Sequence, residues 1–298
     1  MLRQLNAPGK HGLAAADAPP PERPDWTIDQ GWERYTAEEH RVWKTLFERQ
    51  SRLLPGRACD SFVRGMGELP IGPDEIPDFR RLSEALMKRT GWQVVAVPGL
   101  VPDDVFFDHL AHRRFPDGQF IRKPHQLDYL EEPDVFHDVF GHVPLLMDPV
   151  IGDYIQAYGV GGLRAKQLGV LDMLSRVYWY TVEFGLVQQK DGLRIYGAGI
   201  ASSASESIFS LEDDSPNRLR FDVERVMRTH YRIDDFQETY FVIDDLDELL
   251  ELARIDFGPI YERAKHQPEH EPGAVLSEDR VLTRGTGRYP AEKRRRTP

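Results

Sequence analysis

The chain has 298 residues, room for one large domain or two small ones, and its 40% hydrophobic content includes five Trp, eleven Tyr and fifteen Phe, enough for an aromatic-rich core. A formal charge of −11 argues against nucleic acid or an anionic membrane as the main partner, and the one basic run, Lys293 to Arg296, reads as a solvated terminus. The single cysteine, Cys59, excludes an intramolecular disulfide and a cysteine-rich zinc site and suits a reducing cytoplasm, while no apolar run approaches the roughly 20 residues of a membrane span.

Residues 1–24, rich in Ala and Pro and without the continuous apolar stretch of a signal peptide, read as a flexible leader. Thr36 and Glu39 form a capping-box pattern that opens a helix stopping at Pro55-Gly56. "IPDFRRLSEALMKRTG" predicts a second helix with Leu82, Leu86 and Met87 on one face; "WQVVAVPG" predicts a strand. "PDDVFFDHLAHRRF" reads as a helix with acids in its first turn, where the dipole favours them. "EPDVFHDVFGHVPLLMDP" is a helix candidate with Pro133 in its first turn, and "LGVLDMLSRVYWYTVEFGLVQ" predicts one long, strongly apolar core helix. Beyond it come a strand at "LRIYGAG", helices at "ASESIFSLE" and "RFDVERVMRTHY", a strand at "QETYFVID" and one further helix over "DLDELLELARIDFGPIYERAK". Residues 268–298 lack periodicity and read as a loosely ordered tail. The sum is a mainly α single domain over 25–267 with a few short strands.

His137 and His142 lie five residues apart. On a regular helix that spacing rotates about 500° and leaves the side chains some 140° apart. A helix ending near Gly141 would place His142 on a turn, free to swing back beside His137. The spacing differs from the H-E-x-x-H of zinc proteases, which needs an unbroken helix. A third ligand is offered by Glu183, flanked by Val182 and Phe184 on the most apolar helix, where an unpaired carboxylate is costly to bury. Two His and one carboxylate are the facial triad of non-haem Fe(II) oxygenases. The plainer reading stays open: histidines near a helix end are often satisfied packing groups, and Arg176, two turns before Glu183, offers an ion-pair partner.

The segments "EPDVFHDVFGHVPLLMDP", "YWYTVEFGL" and "YGAGIASSASE", in that order, resemble the catalytic domain of the aromatic amino acid hydroxylases, from about "TGWQVVAVPGL" to about "SLE". The resemblance implies a monooxygenase in which Fe(II), tetrahydrobiopterin and O₂ hydroxylate an aromatic amino acid, with His137, His142 and Glu183 as iron ligands. It implies that Arg122 grips the substrate carboxylate, which its fork geometry suits, and that Trp179 lines the ring pocket. Gly199, Ser202 and Ser203 match residues near the substrate, with a serine hydroxyl bonding the first iron histidine. Gly99, Leu100 and Val101 would offer backbone groups to the pterin ring, Phe106 would stack on it, with Phe107 as the neighbouring alternative, and Asp138 would reach the pterin through water. Beside these readings stand plain ones: a surface arginine, core packing for Trp179 and Phe106, and a tight turn for the Gly/Ala/Ser segment.

The chain departs from the family pattern at Leu130, where animal members carry a threonine. It has no room for their N-terminal regulatory domain and no heptads for their tetramerisation helix, which implies a monomer without substrate-activated allostery. The substrate expected is L-phenylalanine, giving L-tyrosine; tryptophan or another ring position remains open. A zinc hydrolase and a metal-storage module are the rivals from other classes. The first lacks the zincin pattern, and the second leaves Arg122 and the pterin segment without a purpose.

Overall fold

Thr36 sets the first long helix. Its hydroxyl accepts from the Glu39 amide at 3.3 Å while the Glu39 carboxylate accepts from the Thr36 amide at 2.7 Å, closing the capping box at the start of α1 (Ala37–Leu53). The structure, a computed structural model, describes residues 22–128 and 132–296; Leu130 and the expected leader up to residue 21 lie outside them. Next come α2 (Asp60–Glu68), which the sequence pattern did not mark, and α3 (Phe79–Arg89), capped by Asp78. Leu82 and Leu86 of α3 are buried, but Met87 is 54% exposed, because its position is about 100° round from Leu86.

β1 (Gln93–Val97) and β2 (Arg114–Gly118) pair in parallel, with α4 (Asp103–Ala111) as their crossover. β2 was hidden by Pro116 and Gly118, which a two-stranded edge tolerates. α5 (Pro149–Gln167) was also missed, since its four glycines dilute the helical signal. One of them shows what glycine is for here: a Cβ on Gly162 would sit 2.2 Å from the Phe107 ring, so α4 and α5 approach closely only without it.

Two segments are not α-helical. Phe136–His142 and Trp179–Glu183 are wound as π-helix, the second continuing directly from α6 (Leu171–Tyr178). The single long helix expected over this region therefore ends at Glu183, and its last residues belong to β3 (Leu186–Gln189). β3, β4 (Gly192–Ile195), β5 (Asn217–Arg220), β6 (Thr239–Ile243) and β7 (Val281–Thr283) form a mixed sheet in the order β4-β3-β6-β5-β7. Between them lie α7 (Ala198–Ala201), α8 (Ala204–Glu212) and the short α9 (Val223–Met227). The helix expected over 245–265 is two, α10 (Asp247–Arg254) and α11 (Gly258–Ala264), because Pro259 is admitted only in a first turn.

The tail differs from the loose segment its composition implies. β7 pairs antiparallel with β5, Asp279 meets Arg225 at 2.9 Å with both side chains 5% exposed, and Tyr289 packs edge-on against Phe209. Polar anchoring of this kind leaves no apolar periodicity to read. The architecture is mainly α with a few short strands, as expected, and among the described residues no helix is long and apolar enough to cross a membrane.

Candidate metal centre and active site

The π winding of Phe136–His142 answers the question of the five-residue spacing. With i→i+5 hydrogen bonding, residue i+5 returns over residue i, so His137 and His142 share a face without the helix ending. The turn at Gly141 expected from the sequence is not there; instead Gly141 lets the segment lie against α7, where a Cβ would be 2.9 Å from the Ala198 carbonyl. Gly199 plays the same part for the second π segment, a Cβ there meeting Phe184 at 2.9 Å and the Glu183 carbonyl at 3.1 Å. The short helix α7 is thus the wedge between the two ligand-bearing segments.

Across that wedge the side chains converge. Nε2 of His142 is 3.3 Å from Nε2 of His137 and 3.2 Å from Oε1 of Glu183, and Nε2 of His137 is 3.6 Å from Oε2. Metal bonds of about 2.1 Å put donors on one ion roughly 3.0–3.6 Å apart, so one ligand atom from each of the three side chains fits around one cation. They are the one such His/Cys/Asp/Glu group among the described residues. Arg176, the alternative partner for Glu183, instead pairs with Glu269 at 2.7 Å and donates to the Met227 carbonyl.

The electrostatics favour the ligand forms. Burial holds His137 down at about 4 against the pull of Glu183, leaving a neutral imidazole with a free lone pair at neutral pH. Burial also works to raise Glu183, but His142 and His137 outweigh it and the carboxyl falls below its ordinary value. Ser202 fixes the tautomer: its hydroxyl donates to the Ala198 carbonyl at 2.8 Å, so it accepts from Nδ1–H of His137 at 3.0 Å and leaves Nε2 facing the cluster. Ser202→Ala is expected to weaken metal retention about 10- to 100-fold with the fold intact, measured by chelator competition. Phe115 of β2 backs His142, ring centroids 5.0 Å apart.

Arg122 is buried, and its Nε and Nη2 each meet the Asp134 carboxylate at 2.8 Å. Asp134 also accepts from the His137 amide at 3.1 Å, which ties the arginine to the ligand segment. The remaining edge of the guanidinium keeps N–H groups for another carboxylate. No motif in the sequence marks Asp134, although it stands three residues before His137. Trp179 donates its indole N–H to Gln237 at 2.9 Å and stacks on Tyr231. Ser203 caps α8, accepting from the Glu206 amide at 3.3 Å.

Gly99, Leu100, Val101 and Asp138 come together with Pro116 and Gly118 around one small cavity. The Leu100 amide donates to Glu132 at 3.4 Å, and Asp138 accepts from the Gly118 amide at 2.9 Å. Burial pushes Asp138 up to about 7, the Gly118 bond opposing it. Phe106 is not on this wall; it is buried beside Phe107 and edge-on to Tyr178. Neighbouring Asp117, unremarked in the sequence, is fully buried without a hydrogen-bond partner, and burial and the Asp138 charge hold its carboxyl well above the usual range.

Two imidazoles and one carboxylate on a mostly helical scaffold define a mononuclear non-haem iron oxygenase site. The family profile described as "Biopterin-dependent aromatic amino acid hydroxylase" matches residues 32–259, and the chain belongs to that family. Phenylalanine-4-hydroxylase of Caulobacter vibrioides is 64% identical over 279 residues, 93% of this chain and 95% of that protein. Phenylalanine-4-hydroxylase of Ralstonia nicotianae is 60% identical over 264 residues, covering 89% and 84%. The iron- and phenylalanine-bound crystal structure of phenylalanine hydroxylase from Chromobacterium violaceum superposes with a TM-score of 0.84 at 54% identity, covering 88% of this chain and 96% of that one.

Proposed function

We propose that the chain converts L-phenylalanine to L-tyrosine with Fe(II), tetrahydrobiopterin and O₂. The observation that carries this is the convergence of His137, His142 and Glu183, with Ser202 holding the first imidazole in its ligating tautomer. Relatives of 64% and 60% identity that bear the phenylalanine-4-hydroxylase name support the substrate.

Bound iron, with a tetrahydropterin and O₂, supplies the oxygenating chemistry; the protein supplies position and environment. His137, His142 and Glu183 would hold the metal, a ligand set that in non-haem iron oxygenases leaves positions for oxygen and substrate. Arg122, its orientation fixed by Asp134, takes the substrate carboxylate on its free edge, and Trp179, with Gly199 and Ser203 nearby in sequence to Ser202, frames the ring. Gly99, Leu100, Val101 and Asp138 receive the pterin. The catalytic unit is assigned to residues 25–267, with the tail from 268 tied to it. We infer a monomer in the cytoplasm whose partners are an aromatic amino acid and O₂, without nucleic acid or membrane. The packing of Tyr289 on its own chain, the lone buried Cys59 and the net negative charge support that inference.

Product identity tests the reading. The iron-loaded protein, given tetrahydrobiopterin and each aromatic amino acid, should form para-tyrosine from phenylalanine, identified by mass and retention. Predominant 5-hydroxytryptophan or meta-tyrosine would reassign the substrate or the ring position.

A further inference from the structure

The indole of Trp179 is held at both its face and its edge. Tyr231 stacks on it with centroids 4.1 Å apart and planes 13° from parallel, and Gln237 Oε1 takes its N–H at 2.9 Å. Gln237 is 1% exposed, and its amide has one possible orientation. Nε2 donates to the Arg232 carbonyl at 2.7 Å and the Asp235 carbonyl at 3.3 Å, while Oε1 also accepts from the Arg232 amide at 3.4 Å. A flipped amide would set its NH₂ against the indole N–H and leave two carbonyls unpaired.

The backbone that carries Gln237 is fixed in turn by Glu206 of α8. Glu206 Oε1 accepts from the Gln237 amide at 3.4 Å and from the hydroxyl of fully buried Tyr240. α8 begins at its cap Ser203, next to Ser202, whose hydroxyl orients His137. The Ser202–Ser203 turn that leads into α8 thus orients the first metal-ligating imidazole, and α8 itself carries the carboxylate that fixes Gln237. Nothing in the bonding of either the metal ligands or Arg122 requires Gln237 or Glu206, yet both are buried polar groups, expensive to keep unless they fix something.

We propose that Gln237 and Glu206 are positioning residues for the hydroxylation, setting the plane of the Trp179 indole and so the placement of the substrate's aromatic ring relative to the metal. The proposal rests on Trp179 lining the ring pocket, as read above. A ring displaced by a fraction of an ångström still binds in part but meets the oxidant badly, so the signature is weaker substrate binding together with pterin oxidation that fails to yield tyrosine.

The test uses the full-length protein, with two readouts: the Kd of L-phenylalanine by calorimetry, and tyrosine formed per tetrahydrobiopterin oxidised in the iron-loaded enzyme. Gln237→Met keeps the length and removes the acceptor; it should raise Kd about tenfold and lower the coupling ratio below about one half. Glu206→Gln, which keeps an acceptor oxygen for the Gln237 backbone amide and the Tyr240 hydroxyl, should retain most of the affinity and coupling. Trp179→Phe keeps a ring on Tyr231 without the indole donor, so it reports on the same contact if Gln237→Met does not fold; it should show the same two changes. Wild-type Kd and coupling in Gln237→Met or Trp179→Phe, with only a lowered Tm, would overturn the proposal. Trp179→Ala separates it from the reading beneath it. A raised Kd there with an unchanged Kd in Gln237→Met defeats the relay alone, and an unchanged Kd in Trp179→Ala defeats the ring-wall reading and the relay with it.

Discussion

Glu183→Ala is expected to abolish iron retention and to lower tyrosine formation by at least a factor of about 1,000, equivalent to ~4 kcal/mol of transition-state stabilisation. Glu183 is the one carboxylate in the cluster, and its oxygens lie 3.2 and 3.6 Å from the two imidazole nitrogens. Two imidazoles remain in the variant, too few to hold a divalent iron against buffer and chelator. The experiment must separate lost metal from lost fold, and a thermal scan does so. The parent should gain Tm on addition of Fe(II) under argon, because a ligand bound only by the native state stabilises it by about 2.7 kcal/mol at a hundredfold excess over Kd. Glu183→Ala should unfold cooperatively, with a native circular dichroism spectrum and no such gain. Glu183→Gln, which preserves volume but not charge, should behave nearly the same. A variant that keeps its iron would show that the ligand set is misassigned.

The second large effect is expected at Arg122. Arg122→Ala should raise the KM for phenylalanine about 100-fold, the ~2–3 kcal/mol of a charge-assisted hydrogen-bonded pair. Arg122→Lys should restore little of it, since an ammonium cannot serve Asp134 and a substrate carboxylate through two edges at once. The alanine variant also strands Asp134, which is fully buried and accepts from the His137 amide. Removing one partner of a buried pair costs about 3–5 kcal/mol, so a lower Tm should accompany the higher KM. The double variant Arg122→Ala/Asp134→Ala distinguishes the two losses: stability should return in part, and KM should not. An unchanged KM in Arg122→Ala would place the carboxylate elsewhere and leave Arg122 a purely structural group.

The sequence carried the local rules. Thr36 and Glu39 announced a helix start because a capping box is a contact between neighbours in the chain, and the α3 helix with buried Leu82 and Leu86, though not the exposure of Met87, followed from its own pattern. The three ligands were also legible, since ligand residue types in ordered motifs survive without any knowledge of their packing. Residues that the motifs made candidates were less secure. Phe106 matches a pterin-stacking position by sequence, whereas its ring is turned among Phe107 and Tyr178.

What the sequence determined by itself was the class of chemistry: one His pair, one buried carboxylate and a chain without disulfides. Tertiary structure alone decided how those groups meet. Whether five residues are wound as α or π depends on what lies alongside, here α7 and its glycine-lined contacts, and periodicity in a single segment cannot report it. The same holds for Asp134, Gln237 and the polar anchoring of the tail. Each acts through a partner distant in sequence, and a buried hydrogen bond has no period to read.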